Sequence, residues 1–379
     1  MLEEISLEKI RPKLNQAFEF AQIQIQELIT SYPDFFPMYT ENGKWKHMGE
    51  AWTNWCEGFL GGMMWIFYNR HGDEHWRQRA EHYSELIKER RCDRNVHDLG
   101  FLFWSTWKRW YDLDGDPAIN QVVITAGKTM GQRFMEKGRY LRSFVAPESL
   151  FIDIMMNVGI IFYAANQTHD HELLEIAHQH CHTTRRYLVR GDGSTAHEGI
   201  FDLDSGEFLR QSTHQGWRGD SAWARGQAWA LYGFCTAFRM TEEPVYLQTA
   251  QACADFFLNN TNFQPEAPAG AGVPPNDWDD PRLPIVYESS AAAIAASGLI
   301  DLSKVTVDKL KSDHYLNAAL TILDTLTGPD YLANETPGWE GILKHGVYHQ
   351  KKGLGVDESV MWGEYFFVEA VDKALALEV

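Results

Sequence analysis

The sequence predicts an all-α fold of the (α/α)6-barrel type, in which six inner helices alternate with six outer helices around a closed ring. Three observations favour it. Helices that are apolar on nearly every side alternate with helices rich in Glu, Lys, Arg and His, as expected of a buried and a solvated layer. Short turns with an acidic residue separate the two kinds. Stretches of β-prone composition are short, mainly residues 201–209 and 344–349.

The elements follow this plan in chain order. An amphipathic helix is predicted over residues 6–30 and supplies the twelfth helix, beside the last inner one. Inner helices are predicted over residues 55–68, 98–111, 150–165, 223–238, 288–302 and 361–377. The acidic turns are Gly72-Asp73, Gly115-Asp116, His169-Asp170, Glu242-Glu243-Pro244 and Ser312-Asp313. We expect their acidic residues to cap outer helices that begin near Trp76, Ile119, Leu173, Tyr246 and Tyr315.

The chain is expected to form one domain over residues 1–379. The longest stretch rich in proline and glycine, residues 264–284, is too apolar and aromatic to be a flexible linker. An open helical solenoid is the alternative architecture, and the unequal lengths of the repeats disfavour it.

Composition restricts the possible partners and the compartment. Hydrophobic residues make up 44% of the chain, enough for a large core, and the net charge is -18. Such a charge disfavours binding to nucleic acid and to an anionic membrane surface, although a local Arg/His pocket can still bind a small anion. The five cysteines include no CxxC pair, the N-terminus has no apolar leader, and no apolar run is long enough to span a membrane. We therefore expect a cytoplasmic protein.

The barrel has a consequence for function. If the inner helices run in one direction, their N-terminal ends meet around one cavity. Unusual residues lie at those ends: Trp55, His97-Asp98, Asp153, Arg225, Ser289-Ser290 and Trp362. The tryptophans there suit stacking on sugars, although most of the 14 tryptophans must belong to the core.

Two carboxylates are candidates for acid–base chemistry. Asp98 opens a predicted inner helix, where it is either a helix cap or a carboxylate that the positive end of the helix keeps ionised. Asp153 lies in the apolar run 150–156, where it is either a satisfied buried residue or a desolvated acid with a raised pKa. One protonated and one ionised carboxyl group in a single site is an arrangement used on sugars.

Arg225 lies early in a predicted helix between Trp223 and Trp229, where a cation is unusual because the helix start is already partly positive. It either binds an anionic ligand or pairs with a nearby acidic residue such as Asp220. His178 and His182 have the i,i+4 spacing of metal ligands, but they lie on a polar outer helix without an acidic third ligand. We therefore predict no metal site, and no phosphate-loop or dinucleotide motif occurs.

Taken together, several motifs resemble the unsaturated glucuronyl hydrolase family. They are Trp55 with Glu57-Gly58-Phe59, His97-Asp98-Leu99-Gly100-Phe101, Asp153 with Asn157, Leu188-Val-Arg-Gly-Asp192 with His197, Thr213-His-Gln-Gly216, Arg225-Gly-Gln-Ala-Trp229 with Tyr232-Gly-Phe234, Ser289-Ser290, and Trp362-Gly-Glu-Tyr365. The resemblance covers nearly the whole chain. It implies an (α/α)6 barrel without metal or cofactor. It also implies release of the unsaturated uronic acid that polysaccharide lyases leave on chondroitin, hyaluronan or heparin disaccharides and oligosaccharides.

The resemblance also implies roles for individual residues. The match at Asp153 implies the general acid and base, and the match at Asp98 implies a second essential carboxylate. The walls and ligands of the sugar subsite are implied at Trp55, His97, His197, Gln215, Arg225, Trp229, Ser290 and Trp362. Three departures from the family pattern, Leu60, Glu288 and Glu364, are expected at the rim of the subsite, where they would affect substrate preference.

A further hypothesis concerns Lys351 and Lys352, which precede the last inner helix. They either accept a sulfate on the reducing-side sugar or form a solvated turn. Other functions remain open from the sequence: an unsaturated rhamnogalacturonyl hydrolase, a sugar epimerase, and a glycan-binding toroid without catalysis. The oligomeric state, monomer or homodimer, is also open.

Overall fold

The computed structural model describes residues 5–47 and 53–378 of the chain. The α-helices of these residues are α1 (Leu7–Ser31), α2 (Glu57–His71), α3 (Glu74–Leu86), α4 (Leu99–Phe103), α5 (Trp107–Asp114), α6 (Pro117–Gly131), α7 (Ile154–Asn157), α8 (Gly159–Thr168), α9 (His171–Leu188), α10 (Ala224–Thr241), α11 (Pro244–Asn260), α12 (Ser289–Val305), α13 (Lys309–Leu326) and α14 (Met361–Leu375).

The inner helices form a closed ring. Each of α2, α4, α7–α8, α10, α12 and α14 packs against the next, and α14 packs back on α2. The outer helices α3, α6, α9, α11 and α13 cover this ring, and α1 packs on α14 as its twelfth member. The prediction of an (α/α)6 barrel closed by the N-terminal helix is therefore confirmed.

Two of the predicted inner helices differ from the structure. The helix predicted over residues 98–111 is interrupted between α4 and α5, where the hydroxyls of Ser105 and Thr106 donate to the carbonyls of Phe101 and Leu102. Such bonds compete with the helical hydrogen bonds and bend the chain. The helix predicted over residues 150–165 begins only at Ile154, because residues 149–151 form a strand.

The acidic turns cap three outer helices as predicted. Asp73, Asp116 and Asp170 each accept a hydrogen bond from a backbone N–H in the first turn of α3, α6 and α9. Glu243 makes no such bond to α11. The turn predicted at residues 312–313 is wrong, because it lies inside α13, which Asp308 caps.

Short strands lie in the segments that precede the inner helices α2, α7, α10 and α14. They are β1 (Thr40–Glu41), β2 (Lys44–Trp45), β3 (Phe134–Met135), β4 (Tyr140–Leu141), β5 (Ser149–Phe151), β6 (Glu198–Phe201), β7 (Phe208–Ser212), β8 (Gly346–His349) and β9 (Leu354–Glu358). Strands β5, β6 and β7 form an antiparallel sheet and β8 pairs with β9. These strands matter for function because Asp153 follows β5, His197 precedes β6, and β8 carries Tyr348 and His349.

The cysteines and the helices also bear on the predicted compartment. All five cysteines are free thiols, four of them buried and Cys92 exposed. Among the described residues, no helix combines the length and the apolar character that crossing a bilayer requires.

Candidate active site

A cavity of about 230 Å³ lies at the end of the barrel where the inner helices begin. Seven of the predicted site residues line it: Trp55, His97, Asp98, Asp153, Gln215, Arg225 and Lys352. They come from the segments before α2, α4, α7 and α10, from the first turn of α10 and from the loop after β8. The prediction that these helix starts converge on one cavity is confirmed for these segments.

Asp98 immediately precedes α4, yet its side chain makes no capping hydrogen bond. The side-chain oxygen of Asn157 accepts the N–H of Phe101 in its place, at 2.8 Å. Burial, reinforced by the charge of Asp153, raises the pKa of Asp98 to about 7. The expectation that the helix start keeps Asp98 ionised is therefore wrong: α4 has five residues, and desolvation outweighs its dipole.

Asp153 immediately precedes α7 and has the more accessible carboxyl group, 14% exposed against 5% for Asp98. Burial raises the pKa of Asp153 to about 6, while the positive charge of Arg225 opposes this increase. The prediction of a desolvated Asp153 with a raised pKa is confirmed. Since the charge of Asp153 affects Asp98, the two groups titrate as a coupled pair.

Two buried histidines face the two carboxylates in the same way. His97 accepts the N–H of Phe144 at its Nδ1, and its Nε2 lies 3.4 Å from Asp98. His197 accepts the N–H of His214 at its Nδ1, and its Nε2 lies 3.5 Å from Asp153. Burial lowers the pKa of both rings well below the usual value. Both are therefore neutral, and the backbone donor at Nδ1 leaves the ring proton on Nε2, facing the carboxylate.

Several buried polar atoms around the carboxylates have no hydrogen-bond partner within residues 5–47 and 53–378. They are Thr53 Oγ1, Asp98 Oδ2, Asp153 Oδ2, His197 Nε2 and Trp229 Nε1. Buried polar atoms are nearly always paired in native proteins. A cluster of donors and acceptors without partners is what a site complementary to a polyhydroxylated ligand would contain.

Arg225 is 1% exposed and lies between two indole rings, 4.4 Å from that of Trp223 and 5.0 Å from that of Trp362. Its guanidinium donates to the carbonyls of Val347 and Tyr348 and to the side-chain oxygen of Gln215. These contacts fix the side chain at the cavity. The alternative in which Arg225 pairs with Asp220 is wrong, because Asp220 pairs with Arg218.

Four of the predicted ligands lie behind the cavity wall. His197 contacts Asp153 from the side, and Trp229 packs between Phe101 and Phe366. Ser290 accepts the indole N–H of Trp362 at 2.9 Å and donates to Glu288. The structure does not bring Ser290 and Trp362 to the cavity surface; Trp362 instead backs Trp55, with 4.7 Å between the ring centres.

The three departures from the family pattern are also buried. Glu288 accepts hydrogen bonds from the N–H groups of Ser290, Ala291 and Val347. Glu364 accepts those of Ile342 and Leu343, and Leu60 is fully buried in the core. The expectation that these residues form the rim of the subsite is wrong, because they hold loops and helix starts in place.

Several residues that line the cavity were not predicted from the sequence. They are Phe101, Phe144, Val145, Phe151, His214, Tyr348 and His349. Phe151 was assigned to an inner helix, and Phe144 and Val145 lie in a loop without helical periodicity. His214 had a usable signal, since it belongs to the same polar loop as Gln215.

The two outer histidines fulfil other roles. His178 bonds to the hydroxyl of Tyr246 through Nδ1 at 2.8 Å and stacks on His182. In the part of the chain that the structure describes, no three His, Cys, Asp or Glu side chains cluster as metal ligands would.

The chain is similar to a known protein family, to named relatives and to solved structures. The family model of Glycosyl Hydrolase Family 88 matches residues 29–265. An unsaturated glucuronyl hydrolase from Formosa agariphila is 32% identical over 327 residues, covering 84% of this chain and 80% of that protein. An unsaturated chondroitin disaccharide hydrolase from Streptococcus agalactiae is 30% identical, covering 95% and 90% of the two chains. The crystal structure of an unsaturated glucuronyl hydrolase specific for heparin is 28% identical with a TM-score of 0.86, covering 96% and 97%.

Proposed function

The chain belongs to the unsaturated glucuronyl hydrolases of glycosyl hydrolase family 88, and from this premise we propose how it acts. It is a glycosidase that releases the unsaturated glucuronic acid from the non-reducing end of lyase-generated glycosaminoglycan oligosaccharides. The observation that carries the proposed mechanism is the pair Asp98 and Asp153, two desolvated carboxyl groups with raised pKa values on one cavity.

The substrate has a C4=C5 double bond conjugated to a carboxylate. In the proposed first step, protonated Asp153 donates its proton to C4, and the electron pair of the double bond forms the new C–H bond. Positive charge then develops on C5 and the ring oxygen. Ionised Asp153 accepts a proton from water as the water oxygen bonds to C5. One group that acts as acid and then as base contributes roughly 10²- to 10⁴-fold in each role.

The hydrated product then decomposes without further help from the protein. The bond from C5 to the ring oxygen breaks and leaves a ketone at C5 and a hemiacetal at C1. The hemiacetal expels the second sugar as an alcohol and becomes an aldehyde. In this course water never attacks the anomeric carbon, in contrast to ordinary glycoside hydrolysis.

Asp98 is proposed to hold the substrate and to stabilise the positive charge in its ionised form. The raised pKa of Asp98 supports a shared-proton description better than a permanently ionised Asp98. The pair shares one proton near neutral pH, and the higher pKa of Asp98 favours Asp98 as its holder before substrate binds. The proposed first step therefore requires that the bound substrate shifts this proton to Asp153, which leaves Asp98 ionised. The greater accessibility of Asp153, and its position beside His197 Nε2, support Asp153 as the group that meets C4 and water.

The remaining predicted residues are proposed to form the sugar subsite. Arg225 and Gln215 bind the polar side of the uronate, and Trp55 provides a ring face at the cavity wall. His97 and His197 direct their Nε2–H groups at the carboxylates, and Trp229 packs behind Phe101 in the cavity wall. Ser290 and Trp362 support the subsite from behind through Trp55 and Arg225.

The direct test uses the ultraviolet absorbance of the conjugated double bond. Purified protein is mixed with unsaturated chondroitin, hyaluronan and heparin disaccharides, and we expect the absorbance to disappear as product forms. Persistence of the absorbance with all three would contradict the proposal. Loss of absorbance with a rhamnogalacturonan-derived disaccharide alone would favour the related hydrolase.

We also propose that Lys352 recognises a sulfate on the second sugar. Lys352 lines the cavity and Lys351 does not, so the two lysines allow a matched comparison. We expect Lys352→Ala to raise KM for a sulfated chondroitin disaccharide by about tenfold, the effect of one charge-assisted hydrogen bond, and to leave KM for the unsulfated one unchanged. Lys351→Ala is the control. Equal changes for both substrates would contradict the sulfate role.

The setting of the enzyme completes the proposal. We propose a bacterial cytoplasmic enzyme, supported by five free thiols and by the bacterial sources of the relatives. The chain is proposed to act as a single domain over residues 1–379, as a monomer or homodimer, on unsaturated saccharides alone. Size-exclusion chromatography with light scattering separates the two oligomeric states.

A further inference from the structure

Glu198 is a buried carboxylate that the proposed mechanism does not use. It begins β6, is 2% exposed and accepts a hydrogen bond from the hydroxyl of Ser149 at 2.5 Å. Its Oε1 lies 3.3 Å from Nε2 of His214. Among the described residues, His214 is the one potentially cationic side chain within 4 Å of Glu198. Burying a carboxylate is costly unless it is paired or hydrogen-bonded. A buried Glu198 next to His214 therefore indicates a role for this pair.

His214 reaches from this carboxylate to the cavity. Its side chain is 42% exposed and lines the cavity, with the ring 5.4 Å from that of Phe151. Nε2 faces Glu198, and Nδ1 makes no hydrogen bond to the described residues. The charged and titratable groups that act on this ring are Glu198, Asp153 and His197. The negative charge nearest to it is therefore behind the ring, on the side away from the cavity.

We propose that Glu198 is a positioning residue that orients His214 through Nε2, so that the ring and Arg225 together bind the carboxylate of the unsaturated uronate. The inference rests on the proposed function and names the recognition of the acid group in that site. With Nε2 facing Glu198, the edge of the ring that carries Nδ1 is directed to a ligand in the cavity.

This arrangement would couple binding to protonation of the acid. Arg225 and His214 both favour the ionised form of Asp153. A substrate carboxylate bound between them would offset this effect, and Asp153 would hold its proton more firmly when substrate is present. Binding of the substrate carboxylate would then also favour the protonated form of Asp153.

The test compares Glu198→Gln with wild type on an unsulfated unsaturated disaccharide and on the methyl ester of its uronate. The ester is neutral at the acid group and otherwise presents the same sugar. We expect KM for the acid to rise about tenfold in the variant, as for the loss of one charge-assisted contact, with a smaller change in kcat. KM for the ester is expected to stay within about twofold of wild type. Variant-to-wild-type ratios cancel the different reactivity of the two substrates.

Two further variants make the result decisive. His214→Gln is expected to give the same acid-selective rise in KM, and adding Glu198→Gln to it is expected to cause no further loss, because the two residues act in series. Ser149→Ala, which removes a different hydrogen bond of Glu198, is the control and should change KM little. Should Glu198→Gln fold poorly, the half-exposed His214→Gln carries the test alone.

Equal rises of KM for acid and ester, or additive losses in the double variant, would overturn the inference. Wild-type protein without activity on the acid would instead contradict the proposed function, so the two failures are distinguishable.

Discussion

Asp98 and Asp153 have raised pKa values for the same first cause, burial at the start of two inner helices. Their apolar neighbours and short helices explain why desolvation dominates over the helix dipole. Each carboxylate also faces the Nε2 of a neutral histidine, at 3.4 and 3.5 Å. The two groups therefore differ little in chemistry and more in accessibility, which is why we assign the proton transfers to Asp153.

We expect Asp153→Asn to lower kcat by about 10³-fold, because the amide has nearly the same shape and cannot supply or accept the proton. Substrate binding, measured by isothermal titration calorimetry with the intact disaccharide, should stay within a few-fold of wild type. The circular dichroism spectrum controls for folding. A variant that keeps more than a few per cent of kcat would remove Asp153 from the acid–base role.

For Asp98→Asn we expect a loss of about 10²-fold in kcat/KM together with a change in stability that depends on pH. Folding raises the pKa of Asp98 from an ordinary 3.8 to about 7, so the folded state holds a proton that the unfolded chain has lost between these values. Stability of wild type therefore falls as pH rises through this window.

The Asn variant lacks this cost. Its melting temperature relative to wild type should consequently rise between pH 5 and pH 8, as measured by differential scanning calorimetry. A difference in melting temperature that is constant over this range would contradict the raised pKa of Asp98. Full activity with lowered stability would mean that Asp98 has a purely structural role.

The sequence identified these residues because each violates a local rule. Asp153 is a charge in an apolar run, and Arg225 is a cation at a helix start. Whether a residue reaches the cavity surface or lies behind it could not be predicted in the same way. Ser290 and Trp362 lie at an inner helix start like the others, but the hydrogen bond between them occupies their polar atoms and keeps both behind the wall. This hydrogen bond joins segments that are far apart in the sequence, so a local sequence pattern does not predict it.

Strand β8 contributes Tyr348 and His349 to the cavity wall. Two charged residues form hydrogen bonds with its backbone. Arg225 donates to the carbonyls of Val347 and Tyr348, and Glu288 accepts the N–H of Val347 at 3.1 Å. Both residues stabilise the strand that supplies Tyr348 and His349 to the cavity. Arg225 itself lines the cavity, and Glu288 does not.

This difference allows support of the strand to be separated from binding. Arg225→Ala is expected to lower the melting temperature and to raise KM by about 30-fold, since a hydrogen bond to a charged group contributes about 2 kcal/mol. The matched variant Glu288→Gln should lower the melting temperature with a change in KM of less than about threefold. A thermal-shift assay and steady-state kinetics measure both effects. If KM rose equally in the two variants, Arg225 would act only through the strand.

Helical periodicity predicted the inner and outer layers and the closing role of α1. It failed where side chains redirect the backbone. The hydroxyls of Ser105 and Thr106 divide one inner helix, and residues 149–151 pair with β6 instead of extending α7. The start of α13 was misplaced because Val307 and Leu310 are apolar yet 96% and 84% exposed. Strand pairing and exposed apolar residues are outside what a single amphipathic pattern can detect.

The whole molecule carries a net charge of -18 and is proposed to bind an anionic sugar. The barrel reconciles the two by placing cations at the cavity, where Arg225 and Lys352 come from two separate segments. Long-range attraction therefore contributes little, and recognition depends on short-range contacts that salt screens weakly. The same enclosure desolvates both carboxylates, so that the closed ring accounts for binding and for acid strength together.

The central claim is that water adds to the double bond and not to the anomeric carbon. Turnover in water enriched in heavy oxygen and in deuterium, followed by NMR and mass spectrometry of the released uronate, tests it directly. The proposed mechanism predicts solvent oxygen on C5 and one solvent deuterium on C4, with the glycosidic oxygen retained by the second sugar. Solvent oxygen delivered to C1 during cleavage, or no deuterium on C4, would contradict it.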